Sequence, residues 1–572
     1  MMFSFARSIG SCFALAFFLL PAAFPADTIL IHGHIYTGNP QSPWAQALSI
    51  TGTRIDAIGS DADILRLQQA KTAVVDLHGR TVIPGISDSH THMWFGAIAL
   101  RGINLSTPEL SITPDSPDVL VEKIKAFAAA HPGDKLLVGR ADFSSTQPAT
   151  PSHELLDRAV PDRPLIIHNT SEHALWLNAK ALALAGISDK PVADPAEEKY
   201  IIRDASGHPS GVLLESAMAI VERALLPLFT LDEKLAMLRD GTHYLNRYGI
   251  TGITNATGSL AEIGLYAALR DRGQLTVRTR TSFGAVAVNH HLTPDFLASL
   301  EKARTQYHDD WVSANLVKFF ADGGTGMFPP LTYEPAEYKN LVLELDKRGF
   351  QVMTHVLRAD SAHMVLDAYE ALEKQNGPRD RRLRIEHGDV ILAEDLPRLA
   401  KLQVVASMQP TFCCSDYPSN LDPPDKTPGD RWQSLLQSGT TLAFGSDWPC
   451  TWPPDPFVGI QEAVTRQIWR APVTSALLGG YVDGAAQGGA TATLDVYAPD
   501  ERITVAQAVD AYTRGSAYAR MSEDRLGTLE PGKEADLAVL SQDIFSAPHD
   551  DIAKTKVLAT MVAGKFVFND LK

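Results

Sequence analysis

The chain is short of several things. Cations are outnumbered, 51 Lys and Arg against 67 Asp and Glu, and the formal charge of −16 argues against a nucleic-acid partner, because phosphate binding needs clustered Lys and Arg. There is no tandem repeat, no low-complexity tract and no long block of like charge, so an adhesion module built of repeats finds no support. Cysteine is scarce at four residues, and a chain this long needs no disulfide to fold. Of these, Cys413, Cys414 and Cys450 lie beyond the N-terminal region. A bridge from Cys413 or Cys414 to Cys450 is permitted in an exported protein, and buried thiols are the equal alternative. Long apolar runs are also missing, with one exception. Residues 1–26 carry a single cation, Arg7, then "CFALAFFLLPAAF", then the small residues Ala22, Ala23 and Ala26. That is the layout of a secretory signal peptide and predicts a periplasmic or secreted protein. Pro21 interrupts the run, which is short for a membrane span of about 20 residues, so no stable span is expected after signal removal.

What is present reads as one large domain with an appendage, ordinary in apolar and charged content. From 27 to 80 the pattern is β, with short runs such as "TILIHGHIYTG" and "TAVVDLHGR" between turn residues, and 521–572 reads the same way. Two β segments bracketing everything else predict a small β-sandwich built from both termini. Between them, over 81–520, short apolar runs alternate with helix-like stretches, the signature of parallel βα units. Strand candidates fall at 81–87, 249–257, 276–284, 315–323, 349–357, 383–390, 404–410 and 441–449. Eight is the number that closes an α/β barrel of the TIM type, (β/α)8. Two further runs, "KLLVG" and "PLIIH", are assigned to an insertion at about 96–245, and a second insertion spans about 450–500. Long connections of this kind often carry binding function.

The polar residues follow the strands. In "PGISDSHTHMW", His90 and His92 are two apart, so on a strand both face the barrel interior. Later strands end in Lys318 with Asp322, His355, His387 and Asp447. Apolar strands do not end in interior polar groups unless something satisfies them. Catalytic residues of such barrels sit at the strands' C-terminal ends, so this set converges on one mouth. Imidazoles and carboxylates converging there suit a divalent metal. Each residue alone has a plainer reading: a satisfied interior histidine, a helix cap for Asp447, an ion pair for Lys318. Their conjunction and order favour the metal. Trp94, Phe95, Trp176, Trp448 and Trp452 stand near the predicted mouth and either line an apolar pocket or simply pack.

"VIPGISDSHTHMW", "RIEHGDV" and "FGSDWP" resemble the first, sixth and eighth strand motifs of the amidohydrolase superfamily, and the resemblance covers nearly the whole chain beyond the signal. "IIHNTSEHALWLNAKAL", "LVKFFADGGTG" and "ASMQPTF" resemble the branch called amidohydrolase family 3, or YtcJ-like, which includes N-substituted formamide deformylases. The stretch after the fifth-strand histidine, "THVLRADSA", departs from the Ile-Gly-Asp-type run of relatives, so specificity does not carry over with the fold. The resemblance implies that His90 and His92 hold one metal, completed by Asp447, and that His355 and His387 hold a second. It implies a carbamate on Lys318, formed from CO2, as the bridge; with Lys318 unmodified, a single-metal site is the fallback. Zinc is the default metal, and iron, manganese or nickel fit the same ligands. The implied reaction is hydrolysis of a small-molecule, non-peptide amide C–N bond by a metal-activated hydroxide. Asp447 shuttles the proton and His173, in "TSEHALW", steadies the oxyanion; helix-start packing is the plainer reading of His173. Asp322 is expected to orient ligands from behind. An ester or lactone hydrolase on the same site and a non-catalytic ligand-binding relic are the alternatives. A homodimer is possible, and the sequence leaves the oligomeric state open.

Overall fold

The computed structural model describes residues 26–105, 117–141, 143, 151–284, 292–323, 331–414, 428–469 and 496–571. All but the last residue of the expected signal peptide, and most of the second expected insertion, lie outside these. Eight parallel strands form one sheet: β1 (Ile86–Thr91), β2 (Ile250–Gly258), β3 (Arg278–Phe283), β4 (Val312–Phe320), β5 (Gln351–Val356), β6 (Arg384–His387), β7 (Val405–Met408) and β8 (Thr441–Phe444). They lie side by side in chain order. β8 returns to β1, where the Asp447 N–H donates to His90 O at 2.7 Å and the His92 N–H to Trp448 O at 2.7 Å. The strands are almost wholly buried on both faces, which is why they read as short continuous apolar runs and not as alternating ones. Helices such as Leu231–Asn246 and Ala359–Asn376 pack outside them; the first opens on a capping box, Thr230 with Glu233.

The first strand differs from expectation. The run 81–87 is two strands meeting at Gly85, not one. Thr81–Pro84 pairs with Leu537–Leu540 from the C-terminal segment, Val82 opposite Val539, while Ile86 begins β1. Gly85 marks the switch because the chain presses on β2 there: a Cβ would lie 2.4 Å from Thr251 Oγ1. Thr81–Pro84 belongs to a six-stranded sheet that runs, in order, Lys565–Asn569, Val557–Val562, Leu537–Leu540, Thr81–Pro84, His34–Tyr36 and Trp44–Ala45. Its partner sheet has four strands, Arg54–Gly59, Ala47–Thr51, Thr28–Ile31 and Ala73–Asp76. Leu30, Leu48, Ile50, Val82, Leu537 and Met561 share a buried cluster between the two sheets, so the sandwich does draw on both termini.

A fourth sheet, six-stranded, lies between β1 and β2 in sequence. It includes the two runs set aside above, as Leu137–Ala141 and Leu165–Asn169, and has its own core around Leu156, Leu165 and Trp176. Arg140 of this sheet donates to Cys450 O at 2.8 Å, tying it to the loop after β8.

Candidate metal centre

β1 delivers two imidazoles, and each is held by its Nδ1. His90, fully buried, bonds Glu386 Oε2 at 2.6 Å; His92, half-buried, bonds Thr257 Oγ1 at 2.7 Å. Both Nε2 atoms therefore turn to the same point. Asp447 Oδ1 meets them there, 3.6 Å from His90 Nε2 and 3.1 Å from His92 Nε2. One ligand atom from each residue lies within 4.8 Å of the others, a spread that suits donors around one cation. Gly445 makes the closure possible, since a Cβ there would sit 2.6 Å from His90 N and 2.7 Å from Asp88 Oδ1. Asp447 and His387 both adopt left-handed backbone conformations, φ 55° and 65°. Such strain in non-glycine residues is typical of functional sites.

The other strand ends converge on the same place. Lys318 Nζ stands 3.2 Å from His90 Nε2. The His387 ring lies 4.9 Å from that of His90 and 4.4 Å from that of His355. His173 arrives from the inserted sheet: its ring meets His355 edge-on at 5.6 Å, and its Nδ1 bonds Glu215 Oε1 at 2.9 Å. Asp322 stands behind His355, with Oδ1 3.5 Å from Nε2, while its Oδ2 accepts the Leu357 and Arg358 N–H groups. His90, His92, His173, Lys318, His355, His387 and Asp447 thus share one mouth. Asp447 Oδ1 and His355 Nε2 are buried without a hydrogen-bond partner, an arrangement that a cation would satisfy and that is otherwise costly.

The electrostatics follow from burial. It lowers Lys318 to about 8, against the pull of Glu386 and Asp447, and His90 to about 4, with Lys318 adding to the effect. Burial also pushes His355 and His387 well below the usual imidazole range, leaving the neutral form a metal needs. Asp447 goes the other way: burial opposes its charge, but His90 and His92 hold the carboxyl far below its usual range. For His173 burial is outweighed by Glu215, which raises the imidazole above its ordinary value.

Some partners were not legible. Glu386, Thr257 and Glu215 carry no motif of their own. Glu386 left one trace, an Arg-x-Glu alternation of opposite charges inside a buried strand: Arg384 Nε and Nη2 grip its carboxylate at 2.7 and 2.9 Å. The aromatic reading resolves toward packing for two residues. Trp176 is fully buried in the inserted sheet, its indole N–H on Ser152 O at 3.2 Å, and Trp448 is fully buried beneath Gly96. The cysteines also differ from the bridge considered above. Cys413 and Cys414 bond to each other, and Cys450 is a buried free thiol whose Sγ–H donates to Ser171 O at 3.6 Å.

The model of the amidohydrolase family matches residues 73–568. The chain belongs to the amidohydrolase family. Putative amidohydrolase YtcJ of Bacillus subtilis is 27% identical to this amidohydrolase, over 94% of the chain and 98% of the relative. N-substituted formamide deformylase of Arthrobacter pascens is 24% identical, over 94% and 97%. An uncharacterized metal-dependent hydrolase of Pyrococcus furiosus has a similar structure, TM-score 0.67 at 23% identity, covering 91% of this chain and all of that one. The amidohydrolase described here is accordingly an enzyme, a metal-dependent hydrolase.

Proposed function

We propose that the enzyme hydrolyses the C–N bond of a small non-peptide amide at a centre of two divalent ions, zinc by default. The observation that carries this reading is the meeting of His90, His92 and Asp447 on one point, with Lys318 Nζ 3.2 Å from His90 Nε2. His90, His92 and Asp447 would hold one ion and His355 and His387 the other. Lys318 would bridge them as a carbamate, and its lowered pKa of about 8 supports that, because only the neutral amine adds to CO2. Bound metal supplies water acidified toward neutrality and polarises the carbonyl under attack. Glu386, which can only accept, fixes the tautomer of His90, and Thr257 holds the ring of His92, so that Nε2 of each would face the ion. Asp447 Oδ1 accepts the proton of the attacking water and hands it to the departing nitrogen. His173, held by Glu215 and raised in pKa, donates to the developing oxyanion. The deformylase named above acts, by its name, on N-substituted formamides, which makes small N-substituted amides the first substrates to try.

The test is metal content per chain on protein purified without chelator, with 13CO2 labelling read by NMR for the carbamate. Two metals and a labelled lysine are expected. One metal and no label moves the reading to a mononuclear site; no metal after reconstitution overturns it. A matched panel of amides, esters and lactones then separates the leaving groups, and turnover of esters alone would overturn the amide assignment. Export rests on residues 1–26 and is checked by the N-terminal mass of the protein recovered from the periplasm or medium.

A further inference from the structure

The opposite end of the barrel carries a second cluster of charge, in which cations outnumber the carboxylates that pair with them. Four arginines meet where the strands begin: Arg278 and Arg280 on β3, Arg384 on β6, and Arg520 just after the helix Ser516–Ala519. Two of them are answered. Arg278 pairs with Asp536 at 2.9 Å and Glu534 at 3.0 Å, and Arg384 pairs with Glu386.

The other two are not. Arg280 donates to the Arg520 carbonyl, to Gln351 Oε1 at 2.7 Å and to Met521 Sδ at 3.9 Å. Arg520 donates to Ser87 Oγ at 2.9 Å and to the Arg278 carbonyl at 3.0 Å. Every one of those acceptors is neutral, and among the described residues neither guanidinium forms an ion pair. The Nε–H of each points at no acceptor at all, although the residues are only 4% and 7% exposed. Buried charges in folded proteins are paired, and an isolated one is costly by several kcal/mol. Arg280 is repelled by Arg520 and Arg384, and Arg520 by Arg278, with the carboxylate of Asp536, already paired to Arg278, offsetting only part of that. Burial and that repulsion lower both guanidinium groups to about 9, which still leaves them cationic at neutral pH.

We propose that the barrel floor binds a small inorganic monoanion, a halide or a planar oxyanion of bicarbonate type, at the unpartnered Nε–H groups of Arg280 and Arg520. Water alone would satisfy the two donors but not the charge. β2 packs directly on the other side of the guanidinium, where at Gly252 an added Cβ would come within 2.0 Å of Arg520 Nη1, so the proposed ligand is a small ion. The anion joins β3 to the C-terminal segment, from which Arg520 reaches Ser87 on β1, and Arg280 extends the link to Gln351 on β5. It pins the end of the chain across the bottom of the barrel, away from the metal centre, and the assignment does not depend on the reaction proposed above.

The test is diffraction at the bromine edge from crystals of the full chain grown in sodium bromide. An anomalous peak within hydrogen-bond reach of both Nε atoms is expected for a halide site. Planar trigonal density without anomalous signal supports the oxyanion. A lone water or empty space between the arginines overturns the proposal. In solution, protein exchanged into sodium gluconate should gain a saturable rise in Tm of roughly 2 °C or more on addition of sodium chloride or bicarbonate at constant ionic strength. Arg280→Met should lose that rise. An equal, unsaturable response in the variant would also overturn the site, and the bromide experiment stands if the variant does not fold.

Discussion

Changing Glu386 to Gln removes one charge and almost no volume, and its effects can be worked from contacts already described. The carboxylate is fully buried and holds three charged or polar donors, Arg384 Nε, Arg384 Nη2 and His90 Nδ1. An amide in its place keeps one acceptor and turns a second N–H toward a donor. Arg384 is then a buried cation without its counter-charge, a loss of about 3–5 kcal/mol. In a chain of this size that corresponds to roughly 1 M in the urea midpoint of the metal-free protein. His90 also loses the partner that sets its tautomer, which should weaken metal binding about 10- to 100-fold. The pH dependence has a definite sign. Burial opposes the charge on Glu386, but Arg384 and His90 hold its pKa well below the usual glutamate range. Its contribution is therefore present above about pH 4.5 and is lost as the solution is made more acidic. Wild type and E386Q should differ most near neutrality and converge in acid. Urea unfolding of metal-free protein at pH 7 and pH 3.5, with metal titration at pH 7, reads all three. A midpoint unchanged at pH 7 together with unchanged metal affinity would refute the reasoning.

Lys318→Ala should abolish turnover, and acetate or propionate should restore part of it by standing in for the carbamate; turnover equal to wild type without added acid would count against the bridge. Gly445→Ala should cost about 1–3 kcal/mol by forcing β8 from β1, and should lower metal affinity because His90 and Asp447 separate; retained affinity would show that the closure tolerates a methyl group. Glu262, buried beside Tyr266 and Asn255, is pushed up to about 8 by burial. Its stabilising contribution is full below about pH 4.5 and lost as pH rises through about 8, so E262Q should gain on wild type between pH 5 and pH 9. Parallel Tm curves for the two proteins over that range would contradict this.

The barrel was legible because its strands are buried on both faces and so stand out as apolar runs. The ligands were legible because polar residues at the ends of such runs are anomalous. His90 and His92 needed only the two-residue period. The split at Gly85 was hidden, since 81–87 reads as one short, mostly apolar run and only pairing with residues more than 400 positions away separates its two halves. Glu386, 296 residues from His90, was hidden for the same reason: its role is a contact between strands, and nothing local in "RIEH" names its partner. Trp176 read as a mouth residue because the inserted sheet's own core cannot be inferred from the barrel period.

The two short strands meeting at Gly85 also set an order of events during synthesis. Thr81–Pro84 runs straight into the strand that carries His90, yet its neighbour in the sheet is Leu537–Leu540. Until residues 537–540 have left the ribosome, the segment feeding the first ligands has one unpaired edge. Contacts of such sequence separation form slowly, so a chain interrupted before residue 537 would hold every metal-binding side chain and still lack the sheet that anchors two of them. The strand Leu537–Leu540 thus closes, from the far side of the sequence, the sheet that leads into the first ligands.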